Sequence, residues 1–159
     1  MNIGQFILHG KLVRALLVPL NNLKNDFLIT RVACVCISTN DRVVLICKPS
    51  STQWELPGGT ITTDDNPDDA VIREVREEAN IELKDLTRIG LVFIEYLQVD
   101  LKPVYHLLYL ARILSIGEPK IDPSIGEVWS RTLVSAENLK NYLKPGPMLD
   151  LILSKLISI

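Results

Sequence analysis

Three glutamates, Glu74, Glu77 and Glu78, fall within the stretch REVREEANI, residues 73–81. On a helix, positions three and four apart are neighbours, so these carboxylates project together and repel one another slightly. A hard divalent cation removes that repulsion. Such ions take oxygen ligands, and Mg²⁺ combines a few carboxylates with water and phosphate oxygens. Upstream lies Pro57-Gly58-Gly59, where a backbone without Cβ lets a carbonyl approach a ligand closely. A carboxylate face beside a glycine turn suits metal-assisted phosphate chemistry, in which the ion neutralises oxygens and activates water. The plainer alternative is a solvated acidic face paired with Arg73 and Arg76.

The elements that must position these residues are legible. Asn66 can cap a helix, Pro67 suits its first turn, and Asp68 and Asp69 favour the positive end of its dipole. The helix is expected from Pro67 to about Ala79, with Asn80 as a left-handed stop. Val71, Val75 and Ala79 form the stripe that faces a sheet, and the glutamates form a second stripe beside it. Ahead of it, TRVACVCIS and VVLICK read as a buried β-hairpin across TNDR, and Pro57-Gly58-Gly59 is expected to interrupt regular structure. Farther on, LVFIEYLQV and PVYHLLYLARIL read as antiparallel strands. Residues 115–127 read as a loop, SAENLKNYL as a short helix, and PGPMLDLILSKLISI as a terminal helix entered through Pro147. The fold class is α/β, a mixed sheet flanked by helices in one domain.

The chain has 159 residues, enough for one domain with a sizeable core. A net charge of −2 shows no basic excess, so neither nucleic acid nor an anionic membrane is an expected partner. Cys34 and Cys36 lie at strand spacing on one face and cannot pair readily, which points to buried free thiols in a reducing, cytoplasmic setting. No apolar run is long enough to span a bilayer. Residues 1–28 read as an extension, a leading strand or amphipathic helix packed on the domain or on a second subunit of a homodimer. Residues 29–159 read as the main domain.

Gly59, Asp65 and Arg73-Glu74-Val75-Arg76-Glu77-Glu78-Ala79-Asn80-Ile81 together resemble the Nudix box, G-x5-E-x7-R-E-U-x-E-E-x-G-U with U apolar. The preceding WELPGG is similar to the usual run into that box. The resemblance implies a Nudix-type α/β/α sandwich and a MutT-like pyrophosphohydrolase. Such enzymes use water and Mg²⁺, with Mn²⁺ as the alternative, to break a phosphoanhydride in a nucleoside diphosphate linked to another group. It implies Glu74, Glu77 and Glu78 as metal ligands, the Gly58 carbonyl as a further one, and Arg73 as a support that orients Glu74. Glu74 is the first choice for the general base, with Asp122 and Glu127 as loop alternatives. Two positions depart from the box: Asp65 stands where a glutamate is expected, and Asn80 where a glycine is.

Lys48 ends a strand shortly before WELPGG, where the resemblance implies a basic residue that meets substrate phosphate, and Gly59 is a second substrate contact. Trp54, Tyr96, Tyr105 and Trp129 are candidates to stack on a base, with core packing as the alternative. His106 reads as structural. The leading function is hydrolysis of a small nucleotide, most simply a nucleoside triphosphate. The rivals are a nucleotide-binding or regulatory module with little turnover, for which only Asp65 speaks, and a dimerisation protein using the apolar N-terminus. Base and sugar are selected outside the box.

Overall fold

Segments rich in Val, Ile and Leu form the strands, and the two segments with an apolar stripe at helical spacing form the α-helices. The computed structural model describes residues 3–8, 11–22 and 28–158. Along the chain these are β1 (Ile3–Leu8), β2 (Lys11–Val18), β3 (Ile29–Ile37), β4 (Arg42–Cys47), β5 (Trp54–Glu55) and β6 (Gly58–Thr60). Then come α1 (Pro67–Ala79), β7 (Ile81–Tyr96), β8 (Val104–Ile116), β9 (Ile121–Asp122), β10 (Glu127–Val128), β11 (Ser130–Ser135) and α2 (Pro147–Leu156).

The main sheet runs β1-β2-β7-β8-β3-β4-β11, with β5 added to β4 and β6 to β3. Its β3–β8 pairing is parallel and its other pairings antiparallel, so the sheet is mixed as expected. Alternation along each strand divides the core into two layers. Val32, Cys34, Cys36, Leu107 and Tyr109 pack with Val71, Val75 and Ala79 of α1. Ala33, Val35, Leu45 and Leu108 pack with Leu149, Leu151 and Ile152 of α2 on the other face. Cys34, Cys36 and Cys47 are buried free thiols.

The expected hairpin is present but splayed. β3 and β4 pair only at Ile37–Val43, next to their turn. Farther along, β3 bonds to β6 and β4 bonds to β5, so residues 54–60 fill the gap between them. Contrary to expectation, Gly58 and Gly59 thus lie in regular structure. Their lack of a side chain is what lets the segment enter: a Cβ on Gly58 would lie 2.1 Å from the Val32 carbonyl oxygen.

Other expectations change in detail. Of the two readings for the segment before β3, its described residues take the strand, with β2 pairing β7. β7 begins at Ile81, directly after Asn80, rather than near Leu91. The 115–127 region is not a plain loop, because β8 runs to Ile116 and β9 pairs β10. The helical pattern after Ser135 is a 3₁₀ helix, Ala136–Asn141. No helix among the described residues is long and apolar enough to cross a membrane.

Both ends of α1 are secured. At its start the Asn66 side chain accepts from the Asp68 N–H, and the Asp68 carboxylate accepts from the Tyr109 hydroxyl at 2.5 Å and Arg88 Nε at 2.9 Å. Burial opposes the Asp68 charge, yet these donors hold its pKa below the usual range, while burial and the Asp68 bond push the Tyr109 hydroxyl up. At its end Asn80 is left-handed (φ 49°), its carbonyl accepts from the Gly117 N–H, and its side chain donates to the Glu118 carbonyl. Arg131 donates to the Ala79 carbonyl. Arg76 and Glu82 join α1 to β7 by paired bonds of 2.8 and 2.9 Å. Tyr109→Phe removes the buried donor and should lower stability by about 1–2 kcal/mol, read as a fall in denaturation midpoint at unchanged slope.

Candidate active site

The splay between β3 and β4 determines where the carboxylates meet backbone. Glu78, on the edge of the α1 stripe, accepts from the Gly58 N–H at 2.8 Å through Oε2. Burial, opposed by that bond and reinforced by the charges of Glu74 and Glu55, pushes its pKa up to about 8. Glu74 lies against Gly59 so closely that a Cβ there would be 2.4 Å from its carboxyl carbon. Arg73 Nη2 donates to Glu74 Oε1 at 3.0 Å. Glu77 is half-buried, and burial followed by the neighbouring Glu74 charge raises its pKa. The structure thus brings Glu74 and Glu78 against the two glycines, with Glu77 beside them in reach of the Glu74 charge.

Asp65 is turned to a local task. Its Oδ2 accepts from the Thr62 N–H at 2.8 Å and the Thr62 hydroxyl at 3.1 Å, closing the turn that leads into α1. Those bonds, with the nearby Arg73 charge, hold it below the ordinary carboxylate range. The shorter side chain suits that bond to a residue three positions earlier.

The loop acids separate. Asp122 is 1% exposed and not a surface acid. Its Oδ1 accepts from the Ser124 N–H and hydroxyl, and its Oδ2 accepts from Trp129 Nε1 at 2.7 Å. Burial opposes the charge, but Ser124 and Trp129, with Lys48 nearby, hold its pKa down. Glu127 is exposed on β10, directly across the ladder from Asp122. Lys48 is half-buried just past β4, within electrostatic reach of Asp122, while Lys120 is within reach of Glu77. Lys120 and the Arg31–Glu55 pair carry no sequence signal, because only the folded sheet brings them near the helix.

Of the aromatic candidates, Trp129 is buried core. Tyr105 packs against Phe93, and Lys11 sits over Tyr96. Trp54 lines a cavity of about 470 Å³ on the α2 side of the sheet, with Arg31, Glu55, Leu108 and Met148 among its other walls, and His106 also borders it.

The donor chemistry of the acidic face fits a hard cation: carboxylate oxygens without sulfur, crowded and partly desolvated, with two pKa values raised by like charge and burial. Among the described residues no group of three His, Cys, Asp or Glu side chains is arranged to hold a metal ion together. The fit is therefore one of ligand type, and a cation would have to gather the carboxylates from their present bonds to Gly58 and Arg73.

A mixed sheet with α1 on one face and α2 on the other, and an acidic helix edge against a glycine-bearing strand, makes an α/β/α sandwich. The NUDIX domain family matches residues 28–150, and the chain belongs to that family. Over 51 residues it is 41% identical to the uncharacterized Nudix hydrolase YvcI of Bacillus subtilis, covering 32% of each chain. Over 58 residues it is 40% identical to a MutT-like protein of Streptomyces ambofaciens, covering 35% of this chain and 38% of that one. The chain thus spans about a third of the length of the curated relatives it matches. Among solved structures, the Bacillus subtilis pyrophosphohydrolase BsRppH has the same fold, with a TM-score of 0.65 at 18% identity over 98% of this chain and 94% of that one.

The raised Glu78 pKa has a definite sign. Below about 4.5 the group is protonated both folded and unfolded. Between there and about 8 the unfolded chain has lost the proton and the folded one keeps it, so stability falls as pH rises. Metal-free protein in EDTA should lose on the order of a few kcal/mol across that window, and Glu78→Gln should flatten the slope. Asp65, Asp68 and Asp122, whose shifts run the other way, titrate below it. Denaturant midpoints at pH 5 and pH 8 measure the difference.

Proposed function

We propose that this chain hydrolyses a phosphoanhydride bond in a nucleoside diphosphate linked to another group, a nucleoside triphosphate or related nucleotide, with Mg²⁺ or alternatively Mn²⁺. The observation that supports it is the Glu78 carboxylate buried against Gly58 while Glu74 and Glu77 crowd the same edge. Isolated buried carboxylates are unfavourable, and an acidic cluster beside open backbone finds its use with a cation and a phosphate.

In this reading Glu74, Glu77, Glu78 and the Gly58 carbonyl hold the metal ion. When bound, the ion would screen the diphosphate oxygens and lower the pKa of water. Glu74 accepts the proton of the attacking water as its oxygen bonds to phosphorus and the bridging P–O bond breaks. Arg73 keeps Glu74 in place, and Gly59 leaves room for it. Asp122 is poorly suited to be the base, because both its oxygens are bonded and it is shielded from solvent. Its role is to hold the β9–β10 ribbon. Glu127, exposed beside it, remains the alternative base. Lys48 supplies positive charge for substrate phosphate. Residues 29–159 form the catalytic domain in this assignment, with residues 1–28 an extension packed on it, a view that the β2–β7 pairing supports.

Purified protein with Mg²⁺ is expected to release phosphate, pyrophosphate or a nucleoside monophosphate from at least one member of a panel of nucleoside triphosphates, dinucleoside polyphosphates, ADP-ribose and nucleotide sugars. Glu77→Gln should lower kcat/KM by at least the roughly ten- to hundredfold that loss of an outer-shell partner costs a metal site. Activity equal to wild type would remove the acidic face from the mechanism. Because Asp65 is engaged with Thr62, Asp65→Glu should leave kcat/KM within about twofold and lower stability slightly. A large gain in rate would instead show that its reach limits turnover.

A further inference from the structure

The cavity and the acidic edge of α1 lie on opposite faces of the sheet, yet they meet at one pair of residues. Arg31 lies on β3 opposite Thr60 of β6, and Glu55 ends β5, so one belongs to a strand that frames the inserted segment and the other to the segment itself. Both residues border the cavity, and their charges are within electrostatic reach of Glu78. The pair therefore borders both the acidic edge and the cavity that Trp54, Leu108 and Met148 line. At about 470 Å³ the cavity is within the range of small-ligand sites.

The Arg31–Glu55 pair is loose. Its closest approach is 3.4 Å, against 2.7 Å for Arg88–Asp68 and 2.8 Å for Arg76–Glu82, and its two side chains are 35% and 43% exposed. A long, partly solvated pair contributes little to stability and can exchange its bond for ligand contacts. A carboxylate accepts two parallel N–H donors well. A guanidinium beside it only donates. The complementary base edge carries two adjacent N–H donors next to a carbonyl, which is the edge of guanine. Adenine presents a ring-nitrogen lone pair where the carboxylate needs a donor. Uracil and thymine offer one N–H between two carbonyls, and hypoxanthine lacks the exocyclic amine.

We propose that Glu55 and Arg31 form a base-reading pair at the mouth of the Trp54 cavity, selecting a guanine-type edge. The proposal rests on the nucleotide reading above for its biological setting, but the binding it describes needs neither metal nor turnover. GMP, IMP and AMP are titrated into metal-free protein in EDTA, with quenching of Trp54 as the readout; the only other tryptophan, Trp129, is buried against Asp122.

Wild type should bind GMP about tenfold more tightly than IMP, the size expected for one hydrogen bond to a charged acceptor, and more tightly than AMP. Glu55→Gln should bring GMP to the level of IMP while leaving IMP within about twofold. Trp54→Phe, which keeps an aromatic wall, should abolish the signal while calorimetry still shows the GMP preference. AMP binding as tight as GMP, no saturable binding of any of the three at millimolar concentration, or a GMP/IMP ratio unchanged in Glu55→Gln would each overturn the proposal. Hydrolysis of GTP, ITP and ATP with Mg²⁺ is measured in parallel. Selective binding without hydrolysis would refute the catalytic reading alone, and hydrolysis without base preference would refute the base-reading pair alone.

Discussion

The site depends on one steric allowance: a backbone without side chains can run where two strands of a hairpin part. A Cβ at Gly58 would collide with the Val32 carbonyl, and one at Gly59 with the Glu74 carboxyl group. With neither present, residues 54–60 bond to β3 and β4 at once, and the Gly58 N–H points at the box helix. The carboxylate face is thereby fixed against main chain, which cannot change rotamer. Substituting Gly58 would push the segment off β3, whereas substituting Gly59 would displace the Glu74 carboxyl group.

The electrostatics follow from that placement. Glu78 is drawn inward by a single N–H and pays for it in desolvation, so its proton is held more tightly than an exposed glutamate's. Glu74 has a guanidinium bonded to it, while Glu77 is raised by burial and then by its neighbour's charge, with Arg73 and Lys120 acting against the rise. Three residues of one type within one helical turn and a half therefore have three different environments. Elsewhere the same residue types serve the scaffold: Asp68 secures the helix start, Asp65 closes the connector, and Asp122 anchors a ribbon.

Much of this was legible in the sequence because its causes are local. The α1 boundaries follow from Asn66, Pro67 and Asn80, whose capping and left-handed geometry act within a few residues. The glutamate stripe and the buried thiols follow from periodicity alone. What the sequence did not reveal depends on pairing between distant segments. The splay of β3 from β4 needs β6 to compete for the ladder, and the length of β7 is set by β8 as its partner. Asp122 stands in the sequence only as a loop alternative for the base, because nothing local signals its bond to Trp129. The Arg31–Glu55 pair could not be anticipated, since neither residue carries a local signal.

The two ends of α1 are held in different ways. At the C-terminal end, Asn80 alone separates helix from β7; the Gly117 N–H donates to the Asn80 carbonyl, the Asn80 side chain to the Glu118 carbonyl, and the Arg131 side chain to the Ala79 carbonyl. At the other end the tie is through side chains, Asp68 to Tyr109 and Arg88, after a connector of short polar residues. The acidic face therefore lies between two tied ends, with Glu78 two positions from the Asn80 junction and Glu74 six.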